Sequence, residues 1–264
     1  MKRLLPLLLL MLLPLGRSTI LAQQYTGMTG LLHVPSAEMD TIENLRIGVH
    51  MLPKHMMPNA MRFEGKKYAS TNWYVSAMPL KWLELGYSFT LMKFHKNLDK
   101  NSGETGFYSK DRYFSARVQP LREGRYWPSV VIGGNDVIGQ RDGNSKSFYF
   151  RNFYVAASKH VDLSFGQFGG HLAYRYWTKS YNKRWNGVVG GITFRPSFYK
   201  PLRALAEYDG HGVNIGVDCV LFRYVQLQAS LMKCRYPSVG GAVRIELKGI
   251  RKKQPSECNP VANK

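Results

Sequence analysis

The 264-residue chain has 37 lysines and arginines against 17 acidic residues, and its formal net charge is +20. Such a charge is typical of proteins that meet nucleic acid, an anionic membrane surface or an acidic polymer. Hydrophobic residues make up 44% of the chain, but no stretch after residue 22 approaches the roughly 18 apolar residues of a transmembrane helix. A β-barrel is therefore the remaining way for this chain to cross a membrane.

The first 22 residues have the pattern of a signal peptide. Basic residues at positions 2 and 3 precede an apolar run over 4–15 that Pro6 and Pro14 interrupt, and this run is too short to span a bilayer. An uncleaved anchor helix is the alternative, and we disfavour it because the two prolines would break the helix. We expect export, with cleavage after Ala22, and export argues against nucleic acid as a partner.

Residues 23–43 precede the first clear strand and contain Gly27, Gly30 and Pro35. This segment is interpreted as a plug, a periplasmic lead or an additional strand. At the other end, residues 249–264 include the basic run at 251–253, which is typical of a solvated tail, and we expect it in the periplasm.

Between these ends, apolar and polar residues alternate with a period of two, which indicates strands with one apolar and one polar face. One clear example sets Val213, Ile215 and Val217 against Asn214, Gly216 and Asp218. Twelve strands are predicted, with ten to fourteen left open: 44–53, 69–79, 82–93, 107–119, 127–137, 147–159, 161–177, 186–196, 201–209, 211–222, 224–234 and 238–248. The fold class is thus all-β, a single antiparallel transmembrane β-barrel over 44–248.

Alternation alone does not decide which face points inward, but three further features do. The polar face carries charged residues such as Arg46, Glu84, Arg117 and Arg244, which suits a hydrated lumen. The strands approach the roughly ten residues that a tilted membrane strand needs, and aromatic residues lie near many strand ends, as in membrane girdles. Long polar connections at 54–68, 94–106, 138–146 and 178–185 alternate with tight turns at 80–81, 160 and 223.

Reactive side chains give little sign of catalysis. Cys219 and Cys234 are not expected to form a disulfide, because a turn at 222–225 would place Cys219 opposite about position 228; Cys258 completes an odd set. No nucleophile elbow, phosphate-binding loop or zinc-protease motif is present. His171 is expected to face the lumen near acids such as Glu207, as a hydrogen-bonded wall residue. We predict no enzyme activity, no cofactor and no metal site.

Four short blocks, in order, carry a family resemblance. They are Gly30–Ala37; Trp127–Gly139, continued by Phe153–Lys159; Gly190–Phe194; and Leu205–Asp209. In order and approximate spacing they resemble the YjbH family of exopolysaccharide-linked outer-membrane proteins, over most of residues 27–235. The resemblance implies an outer-membrane β-barrel associated with making or exporting extracellular polysaccharide. We expect a short form of the family, since longer members carry a second barrel-like half. Gly139-Gln140-Arg141 stands where the family has Gly-Thr-Gly after the Asn-Asp block.

Five polar residues in or beside these blocks are candidate sugar-binding residues in the lumen or at its rim: Asn135, Asp136, Lys159, Glu207 and Asp209. They would be costly against lipid. The alternative is that they hold a packed barrel interior together, and we favour it because polar groups on buried strands need partners.

We therefore expect a non-enzymatic barrel that assists the biosynthesis or secretion of an exopolysaccharide or capsule. The expected partners are outer-membrane lipid and lipopolysaccharide, an acidic polysaccharide and other secretion-machinery proteins. Loop lysines at 54, 66, 67, 96, 100 and 110 could equally anchor the barrel to lipopolysaccharide phosphates. Two alternatives stay open: an outer-membrane enzyme that modifies lipids or glycans, and a plugged structural barrel that recruits partners.

Overall fold

The computed structural model describes residues 23–40, 42–99, 103–139, 141–142, 145–146, 148–222 and 224–247. Twelve antiparallel strands form one closed barrel, as predicted. They are β1 Asn44–Leu52, β2 Ser70–Leu80, β3 Leu83–His95, β4 Thr105–Leu121, β5 Ser129–Gly139, β8 Asn152–Leu163, β9 Gly166–Trp177, β10 Gly187–Pro196, β11 Leu202–Tyr208, β12 Val213–Leu221, β13 Val225–Met232 and β14 Tyr236–Glu246. A small hairpin of β6 Arg141–Asp142 and β7 Ser145–Lys146 lies in the connection between β5 and β8.

Pairing between the first and last barrel strands closes the sheet. Asn44 lies opposite Glu246, and the register continues to His50 opposite Gly240. Closure leaves no barrel strand with an unpaired edge, so the backbone hydrogen bonds of the wall are made within the sheet.

The wall is polar inside and apolar outside, as predicted. On β1, Arg46 is 3% exposed whereas its neighbour Ile47 is 46% exposed. On β9 and β10, the outward-facing Leu172, Tyr174 and Ile192 are each at least 60% exposed. A soluble barrel would bury these residues, so the hydrophobic exterior calls for a non-aqueous environment or a covering partner.

One predicted turn is wrong. The turn placed at His160 lies instead at Ser164 and Phe165, and β8 continues to Leu163. Val161 and Leu163 prolong the outward apolar face of β8 and are 54% and 45% exposed. The strand therefore continues past His160, whose side chain joins the inner wall near the end of the barrel.

The barrel has two unlike ends. At the long-loop end lie the connections that follow β1, β3, β5 and β9, and at the short-turn end lie those that follow β2, β8, β10 and β12. Arg223, where one tight turn was predicted, lies outside the described residues. Short 3-10 helices at Asn59–Met61, Lys96–Leu98 and Ser180–Trp185 occur in the long loops. Within the described ranges, no helix is long and apolar enough to cross a membrane.

Residues 23–40, called the plug from here on, lie inside the barrel. All of them except Met39 are buried, and they hydrogen-bond to one another and to polar side chains on the inner wall. Gly27 has a φ of +88°, and a Cβ atom there would lie 2.4 Å from Cβ of Tyr74. Only glycine suits both this backbone conformation and this approach to the wall. The predicted signal peptide at 1–22 and basic tail at 249–264 lie outside the described residues.

Candidate functional site in the plugged lumen

The plug has little regular structure, so inner-wall side chains satisfy those of its backbone polar groups that do not pair within the plug, as the amide of Tyr25 does with the carbonyl of Leu32 at 3.0 Å. Asn72 donates to the carbonyl of Tyr25 at 2.7 Å, and Ser88 donates to that of Thr26 at 2.8 Å. On β8, the Ser158 hydroxyl accepts the amide of Ala37 at 2.8 Å. Buried backbone groups are costly without partners, which explains why the wall is rich in polar side chains at the depth of the plug.

Glu207 on β11 binds the centre of the plug. Its carboxylate accepts the backbone amides of Leu32, His33 and Val34 at 3.0, 2.9 and 3.0 Å. The Asn214 amide also donates to it, at 2.7 Å. Three successive amides on one carboxylate form an anion-binding bend of the backbone, so Glu207 is a specific clamp for the plug.

Arg117 on β4 binds two parts of the plug at once. Its guanidinium donates to the carbonyls of Thr29 and Ser36, each at 2.8 Å, and to the carbonyl of Glu38. It also pairs with Glu84, whose carboxylate accepts the amide and hydroxyl of Thr29 at 3.0 and 2.9 Å. Both members of this buried ion pair therefore make hydrogen bonds to the plug.

His33 on the plug contacts Asp209, just beyond β11, through Nδ1 at 3.0 Å. Arg175 donates to the His33 carbonyl at 2.6 Å. Burial, together with the charge of Arg175, lowers the pKa of His33 to about 4 despite the carboxylate beside it. For Asp209, burial raises the pKa, but the hydrogen bond from His33 outweighs it and holds the pKa below its ordinary value. At neutral pH the pair is a neutral imidazole and a carboxylate.

A hydrophobic cluster lies over the plug at the long-loop end. Its buried members are Tyr25, Leu32, Leu52, Met56, Met57, Tyr113, Phe150, Trp177, Trp185, Leu205 and Met232. The rings of Trp177 and Trp185 are 5.2 Å apart, and the His33 ring lies 5.1 Å from Trp185. Loop residues and plug residues thus share one apolar core, which separates the polar lumen from the loops.

At the short-turn end, Glu38 at the end of the plug meets two wall histidines. Oε1 of Glu38 lies 3.3 Å from Nε2 of His160, and Oε2 lies 3.0 Å from the guanidinium of Arg203. One ligand atom from each of Glu38, His160 and His171 lies within 4.8 Å of the others. This is a set of side chains that could hold a metal ion, and the sequence did not predict it because the three residues come from separate elements.

His171 faces the lumen, as expected, but its immediate partners differ from those predicted. Its ring nitrogens contact the hydroxyls of Ser158 at 2.8 Å and Thr193 at 3.1 Å. Glu207 accepts the plug amides and Asn214 instead. Cys219 lies opposite Leu227, one residue from the expected position, and Cys219 and Cys234 are free thiols as predicted.

The five candidate sugar-binding residues do not form one cluster. Glu207 and Asp209 both contact Asn214, where β11 ends and β12 begins at the long-loop end of the barrel. Asn135 and Asp136 lie on β5, where Asn135 donates to Asn152 at 3.3 Å and Asp136 accepts the amide of Phe150 at 3.1 Å. Lys159 lies at the short-turn end, where it donates to Gly124 and pairs with Glu123 at 3.2 Å. Lys159 has a 37% exposed side chain, whereas the other four residues are buried.

Cations and aromatic rings meet around the long-loop end. The Lys93 ammonium lies 4.0 Å from the ring centre of Tyr68, and the Arg151 guanidinium lies 3.6 Å from that of Phe148. Other basic residues of these loops are Lys54, Arg62, Lys66, Lys67, Lys179, Lys183 and Arg184. The sequence pointed to several loop lysines, of which Lys100 lies outside the described residues, but the pair of Lys93 and Tyr68 depends on a contact between separate segments.

Comparison with known proteins gives one family match. The family model YjbH, described as "Exopolysaccharide biosynthesis protein YbjH", matches residues 22–264. A search of the curated proteins found no matching relative.

Proposed function

Because the chain belongs to the YjbH family of exopolysaccharide biosynthesis proteins, we propose that it is an outer-membrane β-barrel that assists polysaccharide assembly or secretion without catalysing a reaction. The family match over residues 22–264 is the observation that carries this proposal. It spans the plug and the whole barrel, so the proposed role concerns both.

The apolar exterior supports a place in the outer membrane. A closed barrel satisfies its own backbone hydrogen bonds, as lipid requires, and residues such as Leu172 and Ile192 face outward. Lipid would cover this surface without any partner protein. The signal peptide expected at residues 1–22 agrees with export.

The plug favours a scaffold over an open conduit. Glu207, Arg117 and Asp209 bind it from separate positions on the wall, and the hydrophobic cluster covers it at the long-loop end. Passage of a sugar polymer would require the plug to move. A plugged barrel that recruits partners through its loops is therefore the second candidate, and the observation that favours it is this set of contacts.

The basic loops support an acidic polymer as the ligand. Guanidinium and ammonium groups pair with carboxylates and sulfates, and aromatic rings such as Tyr68 and Phe148 offer faces for stacking against sugars. Lipopolysaccharide phosphates would also suit these cations. Both ligands lie on the same side of the barrel if the long loops face the cell exterior.

Enzyme activity has less support. In the described part of the chain, one hydrogen-bonded pair of serine and histidine is Ser158 with His171, at 2.8 Å. Ser158 also accepts the Ala37 amide and is buried beneath the plug. This arrangement suits a wall residue that binds the plug better than a nucleophile that meets substrate.

The test is a deletion strain complemented with the intact gene, with polysaccharide quantified in cell-bound and released fractions. Loss of polymer in the deletion strain and its restoration by the gene are expected. Unchanged polymer in the deletion strain would overturn the proposal. Polymer made normally but retained by the cell would indicate secretion as the affected step.

A second set of strains tests the basic loops. The triple variant R62E/K66E/K183E reverses three exposed cations at the long-loop end, and K81E/R122E/K200E makes the same charge change at the short-turn end. If the loops bind an acidic polymer, only the first variant reduces the polymer. Binding of purified variants to the polymer and to lipopolysaccharide, measured separately, distinguishes the two ligands.

A further inference from the structure

We propose that Glu38, His160 and His171 bind one divalent transition-metal ion, with Zn²⁺ as the probe, and that this ion fastens the plug to the barrel wall. The three residues come from the plug, β8 and β9, and their ligand atoms lie within 4.8 Å of one another. The inference does not depend on the polysaccharide role proposed above.

The donor set suits zinc. Two imidazoles and one carboxylate are a common three-ligand set for Zn²⁺, with water or another ligand in the fourth position. Metal–ligand distances of about 2.0–2.2 Å place the ligands of a tetrahedral site roughly 3.4 Å apart. Glu38 Oε1 and His160 Nε2 already have a separation of 3.3 Å. Because the ligand atoms already lie within 4.8 Å of one another, binding requires His171 to approach this pair by at most about 1.4 Å.

The surroundings of His160 favour metal binding through Nε2. Oε2 of Glu123 lies 2.7 Å from Nδ1 of His160, and Oε1 accepts the backbone amide of His160 at 2.8 Å. A carboxylate that accepts the remote N–H of a histidine fixes its orientation and raises its basicity as a ligand. Glu123 thus turns Nε2 of His160 towards Glu38.

His171 is held in a comparable way. Its two ring nitrogens contact the hydroxyls of Ser158 and Thr193. When one ring nitrogen binds the ion, it gives up its hydroxyl contact. The other nitrogen keeps its hydroxyl contact and so holds the ring in place. The hydroxyl that is released can rotate to another acceptor.

Two neighbouring cations leave room for the ion but limit its affinity. Arg203 occupies Oε2 of Glu38 and leaves Oε1 for the metal, and it also pairs with Asp218 at 3.1 Å. Lys159 pairs with Glu123 on the far side of His160. A buried guanidinium beside a metal opposes a second positive charge. We therefore expect weaker binding than in four-ligand structural zinc sites.

The experiment uses full-length mature protein without a polyhistidine tag, folded in detergent micelles. Cys219, Cys234 and Cys258 are replaced by serine, because free thiols also bind zinc. Zn²⁺ is titrated in competition with a chromophoric chelator, and Co²⁺ is added separately because its visible spectrum reports coordination number. We expect one ion per chain with a tetrahedral or five-coordinate Co²⁺ spectrum.

Variants identify the ligands. H160Q and H171Q should each weaken Zn²⁺ binding at least tenfold, and E123Q, which removes the supporting carboxylate, should weaken it by about 10- to 100-fold. H211Q, which alters an exposed histidine at the long-loop end, should leave it unchanged. Circular dichroism and heat-dependent gel migration verify that each variant barrel is folded. If H160Q or H171Q does not fold, E123Q decides, since Glu123 lies in a surface connection.

Absence of stoichiometric Zn²⁺ binding to the unsubstituted site would overturn the proposal, and His160 would then serve only to bridge the carboxylates of Glu38 and Glu123. Equal binding by the parent protein and E123Q would overturn it as well. Neither result bears on polysaccharide production in the complemented strains, so failure of this inference is separable from failure of the proposed function.

Discussion

Replacement of Glu207 by glutamine tests whether this carboxylate holds the plug. The side chain keeps its size, but one oxygen becomes an amide that donates hydrogen bonds, and the negative charge is lost. The three plug amides at 32–34 then share one uncharged acceptor. Hydrogen bonds to a charged group contribute about 1.5–3 kcal/mol each, and a buried donor left unpaired costs about 1–3 kcal/mol. Because one oxygen remains, we expect a loss of roughly 2–4 kcal/mol in plug docking.

The assay is hydrogen exchange measured by mass spectrometry on the peptide that covers residues 31–36. At about 1.4 kcal/mol for each factor of ten, exchange of the amides at 32–34 should accelerate roughly 30- to 700-fold, provided that exchange follows local opening. E64Q, an exposed glutamate in a long loop, is the control and should leave these amides protected. Equal protection in E207Q and the parent protein would refute the clamp.

Three further predictions concern the plug and the wall. His33 has a lowered folded-state pKa of about 4, so the unfolded or undocked state binds more protons between pH 6.5 and 4; the contribution of His33 to plug protection should be lost as the pH falls through this window, by up to about 3 kcal/mol, and it is measured as the difference in pH dependence between the parent protein and H33Q, which should be zero if His33 does not titrate on undocking. R117M leaves Glu84 buried without its partner and should destabilise the barrel by about 3–5 kcal/mol, seen as a lower temperature of gel-mobility change; a smaller effect than that of the exposed-site variant K96M would contradict it. I192K places a charge on the outward face and should cost about 2–4 kcal/mol if that face meets lipid near the bilayer midplane, measured by folding into vesicles; insertion as efficient as that of I192V would show that lipid does not cover this position.

The barrel could be predicted from the sequence because strand signals are local. Alternation on β12, with Val213, Ile215 and Val217 outward, is visible without knowledge of any neighbour. Charged residues on the other face indicated which side was inward. The turn at His160 was misplaced because half-buried polar residues interrupt the pattern there, while Val161 and Leu163 resume it.

The plug contacts and the candidate metal site could not be predicted in this way. Residues 23–40 have no periodic pattern, and their partners, such as Glu207, Arg117 and Asp209, lie far along the chain. When only the strand position of Glu207 is known, a sugar-binding role and a plug-binding role are both consistent with it. Its contacts with three plug amides favour the clamp.

The sequence by itself determined the all-β barrel class with about twelve strands, the inside-out polarity and the resemblance to a family, because period-two patterns and short blocks are properties of neighbouring positions. Only the tertiary structure decided what fills the lumen and which side chains meet there. Closure of the barrel brings Glu38, His160 and His171 together from three elements, and burial requires the plug amides and carbonyls to find partners on the wall or within the plug. Such requirements act between distant residues, so they are satisfied by the fold and are not visible along the chain.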